Sequence, residues 1–251
     1  CHDCADACPE QAIDLSSPDK IIRDKCTQCF KCVDVCPSGA LERCGNDIDM
    51  DHLVEKVLED EAFFEASGGG VTVSGGEALM QMDSVGELFS RLKQRNVHTL
   101  IQTAGLFNYK VFENLVLPYT DTIYFDLKLM DSDAHKQYCG VPNHSIHENF
   151  RKVQALARAS VIEVLPRVPL VPFITDTDEN LSAIADFMLE NGVKNMQILP
   201  YNPIWLDKLP RFGSVQRLDF GEGTGKFMPD AELDRCTEIF ESRGIHVHCH
   251  R

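Results

Sequence analysis

The stretch that most constrains this chain runs from Cys26 to Pro37. Cys26, Cys29 and Cys32 stand at two-residue gaps, and Cys36 follows, directly before Pro37. This C-x2-C-x2-C-x3-C-P spacing is the run that wraps a 4Fe–4S cluster, with the fourth thiolate serving the neighbouring cluster where two runs are present. Cys1, Cys4, Cys8 and Pro9 repeat the pattern without its first Cys. That Cys would stand three residues before Cys1, so the sequence reads as cut at its N-terminus. Exchange of fourth ligands then assigns Cys26, Cys29, Cys32 and Cys8 to one cluster, and Cys1, Cys4 and Cys36 to the other. Zinc sites generally use two C-x2-C pairs, and disulfide frameworks belong to short secreted chains, so neither matches these runs.

Eight of the eleven Cys fall before residue 45 of 251, which describes a metal-rich head on an ordinary body. Thiolates that hold clusters imply a reducing compartment, and the expectation is a cytoplasmic protein. A formal charge of −15 speaks against a nucleic-acid binder, which needs basic patches. No apolar run reaches 18 residues, so no membrane span is expected. Ala12-Ile13 and Ala40-Leu41 follow the two Cys-Pro pairs at matching offsets, an internal repeat within a two-cluster module over 1–46. Cys44 lies outside both runs and reads as a spare thiol.

From 47 to 251 the texture alternates between strands and helices. Asp51–Ala66 reads as one helix with an Asp cap, and further helices are expected over 82–96, 109–117, 145–159 (capped by Ser145), 179–191 and 229–243. Strands are expected at 71–74, 98–103, 122–126, 161–168, 196–199 and 245–250. Repeated strand-then-helix units imply a parallel sheet with right-handed crossovers. No GxGxxG follows the first strand, so a dinucleotide fold lacks its signature. Polar residues gather instead at strand ends: Gly76 and Glu77, Gln102 and Thr103, Asp126 and Lys128, Arg167, Asn202. In a barrel-like fold that rim is where a site is built. Asp126 and Lys128 stand two apart, hence on one side of the sheet, where a plain ion pair between them is the bland alternative. His246, His248 and His250 share a strand face and read either as a metal site or as a solvated terminal strand. Residues 205–227, rich in Gly and charge, read as a long rim loop.

Longer segments carry a family resemblance. Ser67-Gly-Gly-Gly-Val-Thr-Val-Ser-Gly-Gly-Glu-Ala78 is similar to SGGGVTxSGGE. Asp126-Leu-Lys-Leu-Met-Asp131, His135 and Cys139-Gly-Val-Pro-Asn143 resemble DLKxMD…H…TGVxN, while Arg167-Val-Pro-Leu-Val-Pro172 and Leu199-Pro-Tyr201 resemble RxPxxP and LPY. In this order they resemble the glycyl-radical enzyme activating enzymes, a branch of the radical S-adenosylmethionine superfamily whose best-known member is pyruvate formate-lyase activase. The double cluster run is similar to the ferredoxin-like insert of many members.

The resemblance implies a partial (β/α)6 barrel lacking its first strand. It implies that a site-differentiated 4Fe–4S cluster binds S-adenosylmethionine, whose reductive cleavage gives a radical that takes hydrogen from a glycine of a partner glycyl-radical enzyme. By the same resemblance Gly75, Gly76 and Glu77 match the strand end that holds the methionyl amine, and Asp126 and Lys128 the contacts near its carboxylate. Gln102, Arg167 and Asn202 complete the expected cofactor-binding set. A flavodoxin- or ferredoxin-type donor is the implied source of electrons. The sequence departs from the family in three places. Gln102 stands where pyruvate formate-lyase activase has Asp, and Asn202 stands where many members have His. The C-x3-C-x2-C loop of the catalytic cluster is absent from the 251 residues; it is expected upstream, so these residues alone are expected to be inactive. The alternative reading is a two-cluster electron carrier joined to a degenerate, non-catalytic barrel.

Overall fold

A computed structural model describes residues 1–17, 19–208 and 225–249. The chain divides into two compact units. One comprises Cys1–Ile48 with Pro203–Asp219, and the other Asp49–Asn202 with Phe220–Arg251.

The first unit carries the repeat in its backbone. Helix α1 (Asp3–Asp6) recurs 28 residues later as α2 (Lys31–Asp34), and the two pack together. The same shift relates Cys1 to Cys29, Cys4 to Cys32 and Cys8 to Cys36. It also relates Gln11 to Gly39, both left-handed with φ of 48° and 62°. That turn brings the Ala12 N–H onto Cys8 Sγ at 3.3 Å. In the second half, Leu41, one residue past the counterpart of Ala12, uses its backbone N–H to hold the Cys36 thiol below its ordinary pKa, and the Ser38 hydroxyl adds to the effect. An antiparallel bridge between Ile13 and Ile21 closes the loop between the halves.

The second unit begins with helices α3 (Met50–Leu58) and α4 (Glu61–Ser67). The expected single helix over 51–66 is thus two, broken at Glu59-Asp60. Its cap is Asp49, whose side chain accepts from the His52 N–H, not Asp51. Then come β1 (Gly70–Val73), α5 (Met82–Lys93), β2 (His98–Thr103), α6 (Tyr109–Leu115) and β3 (Thr122–Asp126). Two helices follow, α7 (Ser132–Cys139) and α8 (His144–Arg158), then β4 (Glu163–Pro169), α9 (Asp178–Glu190), β5 (Asn195–Leu199), α10 (Asp230–Glu241) and β6 (His246–Cys249). Helix α7 was not expected: the Asp131 carboxylate starts it by accepting from Ala134 N–H at 2.7 Å, and Gly140 ends it at φ 84°. Ser145 caps nothing, because α8 already starts at His144 after Asn143.

All strands pair in parallel and in chain order, β1-β2-β3-β4-β5-β6. The register sorts the side chains onto two faces. One carries Ile101, Ile123, Phe125, Val168, Met196 and Ile198, all buried against the helices. There Phe150 of α8 meets Phe125 edge-on at 5.1 Å and Phe187 of α9 at 5.2 Å. Truncating such a ring to Ala costs about 3–5 kcal/mol. Gly105, just after β2, is obligatory: its φ is 85°, and a Cβ would lie 2.3 Å from the Phe125 ring. The other face is polar towards its C-terminal end, and it organises the site.

Candidate functional site

Register places Gln102 opposite Tyr124, Asp126 opposite Arg167, and Arg167 opposite Gln197. In-register partners share a face, as do residues two apart on one strand, so these polar groups lie together at the C-terminal strand ends. Asp126 and Arg167 bond directly: Nε and Nη2 of Arg167 reach Asp126 Oδ1 at 2.9 and 2.8 Å. The Arg167 guanidinium also lies 5.0 Å from the centre of the Tyr124 ring. Arg167 is 7% exposed, and only such a partner makes burial of its charge tolerable. The expected alternative, an ion pair between Asp126 and Lys128, is not formed. Asp126 turns across the sheet to β4, and Lys128 has no ion-pair partner among the described residues.

Lys128 stands in a segment without regular structure whose backbone is pinned. The Leu127 N–H donates to the Arg167 carbonyl at 2.8 Å. Asn143 Nδ2 donates to the carbonyls of Leu129 and Met130, and Asn180 Nδ2 to that of Lys128, all at 2.9 Å. His135, buried within α7, contacts the Val141 carbonyl through Nδ1 at 2.6 Å. The DLKxMD…H…GVxN resemblance therefore marks a set of residues that fix how Lys128 is presented.

The loop after β1 is tied to β2 by one carboxylate. Glu77 accepts from Leu79 N–H (3.1 Å), Thr103 Oγ1 (2.9 Å) and Ala104 N–H (2.8 Å). Thr103 Oγ1 in turn accepts from the Gly105 N–H, and Asn149 Nδ2 donates to the carbonyls of Gly105 and Phe107. Gly75 has φ of 138°, a conformation that favours glycine. A Cβ on Gly75 or Gly76 would meet nothing within 4 Å, so both open onto free space. Asn202 is exposed, just beyond Leu199-Pro200-Tyr201.

In the first unit Cys8, Cys26, Cys29 and Cys32 line a single cavity together with Ala12, Ile13, Ile21 and Phe30. Burial pushes the Cys32 thiol up, and the neighbouring Cys26 and Cys8 thiols add to this. Among the described residues no three His, Cys, Asp or Glu side chains sit closely enough to hold one metal ion. His246 and His248 adjoin with ring centres 4.7 Å apart, while His250 and most of the 205–227 loop lie outside the described residues.

Comparison with known proteins agrees with this geometry. Residues 1–40 match a 4Fe-4S dicluster domain. Over 252 residues the chain is 31% identical to the (2S)-3-sulfopropanediol dehydratase activating enzyme of Klebsiella oxytoca, spanning 98% of this chain and 78% of that one. The chain belongs to the glycyl-radical enzyme activating enzymes. Another activating enzyme of the family, pyruvate formate-lyase 2-activating enzyme of Escherichia coli, is 36% identical over 71% of this chain and 60% of its own length. A domain of pyruvate-formate lyase-activating enzyme from Bacteroides vulgatus shares the fold, with a TM-score of 0.57 and 22% identity over 73% of this chain and all of that one. This activating enzyme is thus a radical S-adenosylmethionine protein with a six-stranded parallel sheet and an N-terminal ferredoxin-like region. No described helix is long and apolar enough to cross a membrane.

Sequence reasoning missed Asn180, Tyr124 and Asn149. None stands in a quoted motif, and each acts through a partner that only the fold brings near.

Proposed function

We propose that this enzyme reductively cleaves S-adenosylmethionine and removes hydrogen from a glycine of a partner glycyl-radical enzyme, receiving electrons from a flavodoxin- or ferredoxin-type donor. Residues 1–46 form its two-cluster module and 47–251 its barrel. The observation that carries the reading is Lys128, two residues beyond the Asp126–Arg167 pair and without an ion-pair partner among the described residues. Such a charge suits an incoming carboxylate.

The chain's own residues divide the work of binding. Lys128 meets the methionyl carboxylate, and Asp126, oriented by Arg167, closes the polar group around it. The Glu77 carboxylate shapes the loop through Leu79, Thr103 and Ala104. Together with the backbone of Gly75 and Gly76, where there is open space, it meets the methionyl amine. Gln102 and Asn202 offer neutral amides at the same strand ends. Tyr124 lies against the Arg167 guanidinium and helps to hold it in place. A 4Fe–4S cluster held by a C-x3-C-x2-C loop would supply the one electron that cleaves S-adenosylmethionine to methionine and the 5′-deoxyadenosyl radical, the species that takes the glycine hydrogen.

Two further clusters fit the head. One would be held by Cys26, Cys29, Cys32 and Cys8, the set that lines one cavity, and the other by Cys1, Cys4 and Cys36 with one further ligand. Four thiols around a shared cavity, drawn from the two Cys-Pro runs, suit a cluster. N–H groups aimed at the Cys8 and Cys36 sulfurs suit thiolates that carry charge to iron.

The 251 residues hold no C-x3-C-x2-C triplet, so the activity belongs to a protein carrying them together with that loop. Such a protein, reconstituted anaerobically and given dithionite and S-adenosylmethionine, should form 5′-deoxyadenosine and methionine. Fully loaded clusters with no 5′-deoxyadenosine would overturn the reading.

A further inference from the structure

Residues 127–131 form neither helix nor strand, and besides Asn143 one distant side chain holds them at two points. Asn180 stands in the first turn of α9, 52 residues beyond Lys128, and is 9% exposed. Its Nδ2 donates to the carbonyls of Lys128 and Thr175, and its Oδ1 accepts from the Met130 N–H, each at 2.9 Å. A carboxamide is the one side-chain group that offers two donors and an acceptor in a single plane. Thr177 supports it from below, its side chain accepting from the Asn180 N–H at 3.3 Å.

We infer that Asn180 is a positioning residue for S-adenosylmethionine: it fixes the backbone that carries Lys128, and so sets the direction from which that ammonium meets the methionyl carboxylate. This rests on the assignment of Lys128 to the cofactor proposed above. A lysine stem has four rotatable bonds, so the aim of its charge depends on how firmly its base is held. Both residues flanking Leu129 hydrogen-bond to Asn180, which fixes the peptide on either side. The third bond, to Thr175, ties this segment to the loop after β4. The turn after β3 therefore cannot shift without loosening the loop after β4. Asn180→Ala would leave two carbonyls and an N–H without partners. Asn180→Asp would keep the acceptor for Met130 but set a carboxylate against two carbonyls.

The test uses the native protein, reconstituted anaerobically to equal cluster content. Wild type, Asn180→Ala, Asn180→Asp, Lys128→Ala and the Asn180→Ala/Lys128→Ala double variant are compared. The readouts are the dissociation constant for S-adenosylmethionine by calorimetry and hydrogen exchange across 127–131. Asn180→Ala should weaken binding about tenfold, which is about 1.4 kcal/mol, and speed exchange in that segment. In the Lys128→Ala background the same change should matter less than about twofold, because both residues act through one contact. Asn180→Asp should behave like Asn180→Ala, and it carries the test if the Ala variant does not fold. Faster exchange with unchanged binding would make Asn180 a structural tie only and overturn the inference. A full effect in both backgrounds would overturn it as well. If Lys128→Ala itself leaves binding unchanged, the assignment of Lys128 fails and the positioning role goes with it. A Lys128 effect without an Asn180 effect overturns the positioning role alone.

Discussion

Arg167 grips Asp126 through a single oxygen: both Nε and Nη2 converge on Oδ1, from the neighbouring strand and in exact register. The two side chains are 9% and 14% exposed, so this is a pair removed from water and not a surface contact. Removing one member of a buried pair strands the other charge, at a cost of about 3–5 kcal/mol. Asp126→Ala should therefore lower the melting temperature by about 6–12 °C, taking about 3 kcal/mol and the usual conversion for a chain of this size. Asp126→Leu combined with Arg167→Met should recover most of that loss. Thermal unfolding of the three proteins checks it, and a double variant no more stable than the single one would count against a stranded charge.

Lys128 should behave in the opposite way. With no ion pair to lose among the described residues, Lys128→Ala should keep the melting temperature within a few degrees. Cleavage of S-adenosylmethionine should fall at least about tenfold, the rate equivalent of about 1.4 kcal/mol. The comparison is made anaerobically at equal cluster content in the protein that carries the catalytic loop. Unchanged cleavage would detach Lys128 from the cofactor.

The crossing of cluster ligands is open to a direct swap. Cys8→Ala should damage the cluster of Cys26, Cys29 and Cys32, whereas Cys36→Ala should damage that of Cys1 and Cys4. Electron paramagnetic resonance of the reduced proteins distinguishes the two centres. Loss of the Cys26, Cys29 and Cys32 signal in Cys36→Ala, with the other intact, would show that each run keeps its own fourth ligand.

His147 gives stability an acid dependence. Burial, with the charges of Arg151, His135 and His144 adding, lowers its pKa from 6.5 to about 4, and its ring packs 4.8 Å from that of Phe187. Between those values the unfolded chain binds a proton that the folded one refuses, so stability falls as pH drops from 6.5 towards 4. His147→Leu should flatten that part of the curve. Melting temperatures of both proteins across this range measure it, and parallel curves would show that His147 stays neutral for no energetic reason.

The fold was legible in the sequence because its signals are periodic. Strands 98–103 and 122–126 and the cluster runs follow from spacing alone, since alternation and thiol gaps are local properties. What stayed hidden is set by pairing across the sheet. Asp126 and Lys128 are neighbours in sequence, yet the register hands Asp126 to Arg167, 41 residues away. Asn180 has no periodicity to betray it, because its partners lie in two loops that meet it only after folding. The break between α3 and α4 was invisible for another reason. An apolar pattern at helical spacing runs through it, and the sequence carries no Gly or Pro there.

The strand order carries a consequence for synthesis. Each strand of the sheet pairs with the one made just before it, across separations from 22 residues (Leu100 to Thr122) to 51 (Asn195 to His246). No strand waits for a partner from the far end of the chain, so the loop-closure cost is met one step at a time. Such a sheet can grow from its first edge as the polypeptide leaves the ribosome, each arriving strand covering the open backbone left by its predecessor. The protein is in this sense written in assembly order, and on the growing side of the sheet one strand at a time waits for its partner.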